Sequence, residues 1–432
     1  MYMKIAQLVP GSGDNFYCEN CLRDAAIVRA MRKLDEDVVM IPMYLPLQAD
    51  KEEKISNAPI FFGGVNVYLQ QKLSVFQKTP RWLDSLFDRP RLLEWAGRKA
   101  GMTSARDLGE TTISMLRGED GRQVKELDRL ITWLQQPVNK PDIVCLSNAL
   151  LAGLAKSIKE RLGVPVVCLL QDEDGFLDGL AQPYMTQAWD ILAKCTREID
   201  TFVAVSKYYA NIMRQRLDLN VEHIHVVYTG ISLEGYEPRQ GRPEVPAIGY
   251  LSRMCPGKGL DTLVEAFIIL KRSEKLKNIR LIAAGGETSR DKKFINRVKQ
   301  RLASCGMIND AEFFPSFGAD AKLDFFKRIS VLSVPEKKPV AYGLYVLEAL
   351  AAGVPVVEPK IGVFEELIEI TGGGVLYESN NVQALADAIK PLLLDADYAL
   401  QLGAGGRRGI IENFDVMQTA KNMVRIYRQV IQ

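Results

Sequence analysis

Histidine is nearly missing from this chain. The only two, His223 and His225, flank Ile224 just before an apolar run, where they read as strand residues and not as a metal pair or a catalytic base. A histidine-centred nucleophilic triad is therefore not expected. Charge of one sign is also lacking: 55 basic residues against 53 acidic leave a formal net charge of +2, so nothing calls for a nucleic acid partner. No apolar run approaches the roughly 20 residues that a membrane span needs. The seven cysteines are odd in number and scattered, which fits reduced thiols in a cytosolic protein, several of them buried as small apolar residues. Cys18 and Cys21 form a C-x-x-C pair at the start of the first helix. A zinc site would need two further ligands at fitting spacing, and the pair reads either as packing or as a redox motif. The opening MYMKIAQLVPGSG reads as a strand entering a loop and not as a signal peptide, so a cytoplasmic protein is expected.

What is present is an alternation of short apolar runs with helical patterns, over a length that suits two domains. It is clearest from Ser333 to Glu358, SVPEKKPVAYGLYVLEALAAGVPVVE. An apolar run from Ile329 to Val334 ends at Pro335, and a polar loop follows through Ala341. A helix starts near Gly343, carries Glu348 and stops at Gly353, as a left-handed cap would stop it. Val354 to Val357 then reads as a buried parallel strand. The helix N-terminus at Gly343, Leu344 and Tyr345 would face the carboxyl edge of the sheet, where free amides suit a phosphate. Glu348, about a turn further in, could reach a ribose hydroxyl.

YGLYVLEALAAGVPVV resembles the signature of retaining, nucleotide-sugar-dependent glycosyltransferases, the large family 4 (group 1) set of the GT-B fold that includes sucrose synthases and bacterial surface-polysaccharide enzymes. Its signature is a glutamate, seven residues and a second glutamate. Glu348 matches the second, and Val340 stands where the first is expected. The resemblance implies an α/β chain of two doubly wound Rossmann-like domains facing across a cleft. The expected domains are residues 1–236 on the acceptor side, 237–410 for the nucleotide sugar, and a last helix in 411–432 returning to the first domain. It also implies no cofactor beyond the nucleoside diphosphate-sugar, UDP- or GDP-linked, as co-substrate, and no metal. The acceptor hydroxyl attacks from the leaving-group face in this family, and a donor phosphate oxygen takes its proton.

In chain order, Lys4 to Val9 is the expected first strand, and Gly11 and Gly13 open a glycine loop before a long helix; in the family this loop lies near acceptor and phosphate, with Asp14 and Asn15 at its rim. Between 50 and 136 the pattern loosens into a helical insertion with a hairpin at Ile60–Phe62 and Val65–Leu69. Within it, residues 81–101 combine Trp82, Phe87 and Trp95 with Arg81, Arg89, Arg91, Arg98 and Lys99. Such a segment suits either peripheral contact with an anionic membrane surface or packing of its apolar stripe on its own domain. After the strand Pro165 to Leu170, Gln171 occupies the place where many relatives carry a histidine near the transferred sugar. Asp172, Glu173 and Asp174 beside it read equally as site or as helix cap. In the second half, Arg253 and Lys258 share one loop at a strand's carboxyl end, a diphosphate clamp by chemistry and by the family's spacing. Gly285 ends another strand at the same edge, and Phe314, with Pro315 and Phe317, falls in the segment where relatives hold the base. The resemblance assigns the missing glutamate at position 340 to the donor sugar's hydroxyls, and Glu336, on the same loop, is a neighbour able to fold back. A protein that binds nucleotide or glycan without transferring a sugar is the second reading.

Overall fold

The computed structural model describes residues 2–10, 19–44, 58–62, 105–239, 241, 243–288, 290–314 and 319–432. Gly11, Gly13, Asp14, Asn15, Cys18, Pro315, Phe317 and the basic segment 81–101 lie outside them, as does the side chain of Cys21. The chain forms two compact units, Met1–Tyr228 with Thr419–Gln432, and Thr229–Gln418.

Unit 1 is built on six parallel strands, β1 (Lys4–Val9), β2 (Asp37–Pro42), β3 (Ile143–Leu146), β4 (Val166–Leu170), β5 (Thr201–Ala204) and β6 (Ile224–Val226), in the order β2-β1-β3-β4-β5-β6. Its helices are α1 (Glu19–Arg32), α2 (Ala105–Leu116), α3 (Val124–Leu134), α4 (Ala155–Leu162), α5 (Glu173–Asp178), α6 (Tyr184–Cys195) and α7 (Lys207–Leu217). β3, β4 and β5 are buried along their whole length, so their runs are continuously apolar instead of alternating. Of the expected hairpin, Val65–Leu69 lies outside the described residues, and Ile60–Phe62 forms no strand. Phe61 and Phe62 are core residues in a bend, and the Phe62 amide donates to Met43 O at 2.7 Å.

Unit 2 repeats the plan with β7 (Ala247–Leu251), β8 (Arg280–Ala284), β9 (Ala311–Phe314), β10 (Val331–Leu332), β11 (Val356–Pro359) and β12 (Gly374–Tyr377), all parallel and ordered β12-β11-β10-β7-β8-β9. Around them run α8 (Leu260–Lys271), α9 (Lys292–Ser304), α10 (Ala319–Arg328), α11 (Leu344–Ala351), α12 (Phe364–Thr371), α13 (Val382–Leu394) and α14 (Ala396–Asn413). α15 (Val416–Ile431) follows, and its residues from Thr419 onward belong to unit 1, where Thr419 Oγ1 donates to Tyr228 O at 2.9 Å and Arg428 Nη2 to Glu36 Oε1 at 2.5 Å.

Strand order fixes where a ligand can sit. The chain runs outward from β7 through β8 to β9, then crosses back so that β10 lies on the other side of β7. The loops after β7 and β10 therefore leave the sheet in opposite directions and open a crevice at the carboxyl edge, the usual ligand position in an open parallel sheet. In unit 1 the equivalent point lies between β1 and β3.

Unit 1 also holds a buried acid at its sheet edge. Glu173, 3% exposed, accepts the amides of Ala149 (2.9 Å) and Gln171 (2.7 Å) and the hydroxyl of Tyr209 (2.8 Å). Burial raises its carboxyl above the usual range, against those hydrogen bonds. Glu173→Ala would strand three donors in the interior. A loss of about 2–4 kcal/mol is expected, measured as a lower midpoint in urea unfolding with native secondary structure retained.

Candidate functional site

The loop between β7 and α8 carries two of the expected residues. Arg253 is half exposed at the head, and its Nε and Nη2 reach Asp291 Oδ2 and Oδ1 at 3.0 and 3.2 Å, with Thr288 Oγ1 at 3.2 Å from Nη2. Burial works against the Asp291 charge, yet the bonds from Arg253 and Thr288 outweigh it and hold the carboxyl below its usual range. Lys258 Nζ lies 2.5 Å from Glu336 Oε1. The Arg253 and Lys258 side chains are 48% and 33% exposed, their acids only 6% and 3%. The cations therefore stand toward solvent, and the acids hold them from beneath.

The loops after β7 and β10 are locked together by backbone. Gly259 is left-handed (φ 69°), and a Cβ there would lie 1.8 Å from Pro335 O, so only glycine admits the contact. The Lys337 amide donates to Gly257 O at 3.0 Å, and Lys337 Nζ meets Asp261 Oδ2 at 2.7 Å. Gly285 serves the same edge from β8. At φ 138° it passes so near Ser252 O that a Cβ would sit 2.0 Å away. Phe314 closes β9, half-buried, with the Arg328 guanidinium 5.6 Å over its ring.

Helix α11 starts at Leu344 with Gly343 as its N-cap residue, and Val346 and Leu347 make the first bonds, both to Gly343 O. The amides of Gly343, Leu344 and Tyr345 precede that ladder at the crevice side. At the far end, Gly353 is left-handed (φ 71°), and the Val354 amide returns to Ala349 O at 2.9 Å, the cap read from the sequence. Glu348 is buried within α11. Burial raises its carboxyl, while Lys322 of α10, bonded to Glu348 Oε1, and Tyr236 pull it down.

Two acids at this edge carry no motif. Glu336 sits under Lys258 and 3.5 Å from the Tyr345 hydroxyl. Glu358, the third residue of β11, is fully buried: Oε1 accepts the Val334 amide at 3.2 Å and Oε2 has no partner. Glu336 was singled out in the sequence, whereas Glu358, Lys322, Asp291 and Thr288 were beyond sequence reasoning, because only folding brings them to this edge. In unit 1, Gln171 is buried at the end of β4. Its Nε2 bonds to Ser147 O, while Oε1 has no partner. Glu173 is the buried acceptor described above, and neither it nor Asp172 caps α5 through its side chain. Among the described residues, no group of three or more histidine, cysteine, aspartate or glutamate side chains is placed to hold a metal ion. Nor is any described helix long and apolar enough to cross a membrane.

Burial drives the Glu358 carboxyl well above the usual range. Glu336 pushes the same way; the Val334 amide and Lys258 oppose, and Tyr377 is the other titratable neighbour. A carboxyl raised in the folded state binds its proton more tightly there than in the unfolded chain. Its stabilising contribution is whole below the unfolded value of about 4.3 and is lost as pH rises. Melting temperature is therefore expected to fall from pH 5 toward pH 9, and Glu358→Gln to flatten that fall, as thermal denaturation across this range would measure.

Residues 237–409 match the family described as Glycosyl transferases group 1, and residues 110–234 match Glycosyltransferase Family 4. Among curated relatives, the D-inositol 3-phosphate glycosyltransferase of Salinispora tropica is 24% identical over 63% of this chain and 61% of its own. A GDP-mannose-dependent alpha-(1-6)-phosphatidylinositol monomannoside mannosyltransferase of Mycobacterium tuberculosis is 29% identical over 39% of this chain and 43% of its own. Both matches thus span less than two thirds of the relative. Among solved structures, sucrose-phosphate synthase from Thermosynechococcus elongatus superposes with a TM-score of 0.70 at 15% identity, covering 99% of each chain. Anabaena HepE in complex with UDP and glucose gives 0.69 at 16%, covering 99% of this chain and all of the other. The shared fold is GT-B, and with both family regions matched in order along it, this chain belongs to the group 1 glycosyltransferases.

Proposed function

We propose that this glycosyltransferase moves a sugar from a UDP- or GDP-linked donor to a glycan, lipid-linked or small-molecule acceptor hydroxyl, with retention at the anomeric carbon. The observation that carries the reading is the convergence of Arg253, Lys258 and the α11 N-terminus on the crevice between β7 and β10. Two cations and a helix end at one sheet edge form an electrostatic clamp for a departing diphosphate. Glu348 accepts the ribose hydroxyls in this reading, exchanging its contact with Lys322 for the ligand. Gly285 leaves room for backbone approach, and Phe314 lies at the neighbouring strand end to flank the base. The bond from the anomeric carbon to the diphosphate breaks with its electron pair on the leaving group. The acceptor's proton passes to a phosphate oxygen, so no strong protein base is required, in keeping with the poverty in histidine. HepE was solved with UDP and glucose, and the mycobacterial relative is named for GDP-mannose, which supports a nucleoside diphosphate-sugar as the donor class.

Val340 favours a second reading, a protein that binds the nucleotide without transfer, because valine cannot accept a hydrogen bond from the sugar. Calorimetry with UDP, GDP and ADP, then transfer or hydrolysis assays with sugars of the tightest binder, separates the two. Arg253→Ala is expected to weaken nucleotide binding about tenfold or more, the scale of a lost charge-assisted phosphate contact. Binding without turnover, unrescued by Val340→Glu, would establish the second reading, and no binding of any nucleotide would refute both.

A further inference from the structure

The acid under Lys258 is held more firmly than an ion pair alone would hold it. The Glu336 amide turns back onto Val334 O at 2.7 Å, the next residue's amide is bonded to Gly257 O, and Pro335 O packs on the Cα of Gly259. The backbone on either side of Glu336 is thus fastened to the loop that carries Lys258. Its carboxylate has little freedom, and the Tyr345 hydroxyl of α11 bounds it on another side. Position 340 is engaged through its backbone: Val340 O accepts the Val363 amide at 3.2 Å, so the loop after β11 rests on it. Glu358, with one oxygen on the Val334 amide and the other without a partner, lies beneath the same turn.

We propose that Glu336, in place of a carboxylate at position 340, is the acid that sets the donor site of this chain. It is a positioning residue that holds the Lys258 ammonium where charge builds on the departing diphosphate, so that Lys258 does not grip the bound donor. This deepens the donor-site reading and rests on it. Glu336 touches no reacting atom: the electron pair of the broken bond stays on the diphosphate and the acceptor's proton goes to a phosphate oxygen. An ammonium tied to a fixed carboxylate offers less to a ground-state diphosphate than a free one does. It still meets the extra charge of the transition state, which is where an interaction accelerates reaction.

Release of Lys258 therefore has a signature that general damage to the fold lacks. In Glu336→Gln, the intact sugar donor is expected to bind about threefold or more tightly while its turnover falls about tenfold or more, tighter ground-state binding with a lower kcat. Glu336→Asp keeps the charge and shortens the arm. It should move both readings the same way by less, and it serves as the readout if the glutamine variant fails to fold. The experiment is calorimetry of the full chain with UDP and GDP, which establishes the site, and with UDP-glucose and GDP-mannose, followed by hydrolysis of the two sugar donors, each variant checked for native circular dichroism. The change in affinity decides where no turnover is measured. A folded Glu336 variant that binds the sugar donor as wild type does, or more weakly, overturns this inference and leaves the donor site standing. Wild type that binds neither UDP nor GDP overturns the donor site itself, and this inference with it.

Discussion

A lysine or arginine at a protein surface is ordinarily a mobile charge, but Arg253 and Lys258 are each gripped from below by an acid that water barely reaches. The dependence runs both ways. A carboxylate buried like Glu336 or Asp291 keeps its charge only with a cation and hydrogen bonds around it, and the cation keeps its place only because the acid cannot move. Beneath the Lys258 pair lies plain backbone geometry. Gly259 lets two loops from neighbouring strands touch, and the Lys337 amide ties them. From glycine to acid to cation, each step fixes the next, and the result is charge in position before any ligand arrives. Such preorganisation is what an electrostatic clamp requires, since dipoles and charges already oriented need no rearrangement when the leaving group departs.

The same physics explains which features the sequence reveals. Strand ends, the glycine caps and the paired Arg253 and Lys258 are local, and local patterns are written in consecutive residues: Gly353 stops α11 because the chain there needs a left-handed residue. The strand expected at Val354 to Val357 appears at Val356–Pro359, while Ile329 to Val334 shortens to Val331–Leu332. β10 contributes two paired residues, and the amides of Ser330 and Ser333 extend its bonding to β7 by one residue on either side, to Ala247 O and Gly249 O. Glu358 could not be found this way, as it reads as a polar residue closing an apolar strand. Its meaning comes from Val334 and Glu336, which are 24 and 22 positions earlier in the chain (358 − 334 and 358 − 336). Lys322 is 26 positions from Glu348 and on another helix. Acids that motif matching would treat as bare ligands for ribose or sugar are, in the folded chain, already partnered.

Three buried glutamates, Glu173, Glu348 and Glu358, are all pushed toward the neutral form by burial, and their surroundings divide them by role. Glu173 receives three hydrogen bonds and joins the turn after β4 to α7, so its partners account for it in full as structure. Glu348 is held by Lys322 from a separate helix and by Tyr236, side-chain contacts a polar ligand can exchange without unfolding anything. Glu358 has one amide and an oxygen with none. An unsatisfied buried carboxyl oxygen costs stability, of the order of 1–3 kcal/mol for the missing bond, and the chain tolerates it at the edge where the clamp is built and beneath the acid that holds Lys258. Stability lost at a sheet edge to place charge for a reaction is the expected pattern where function competes with folding. The scarcity of histidine belongs to the same design. A site that works by holding charge still has no need of a group whose protonation changes near neutral pH, and its specificity must come from the placement of acids and cations, none of which the apolar Val340 can supply.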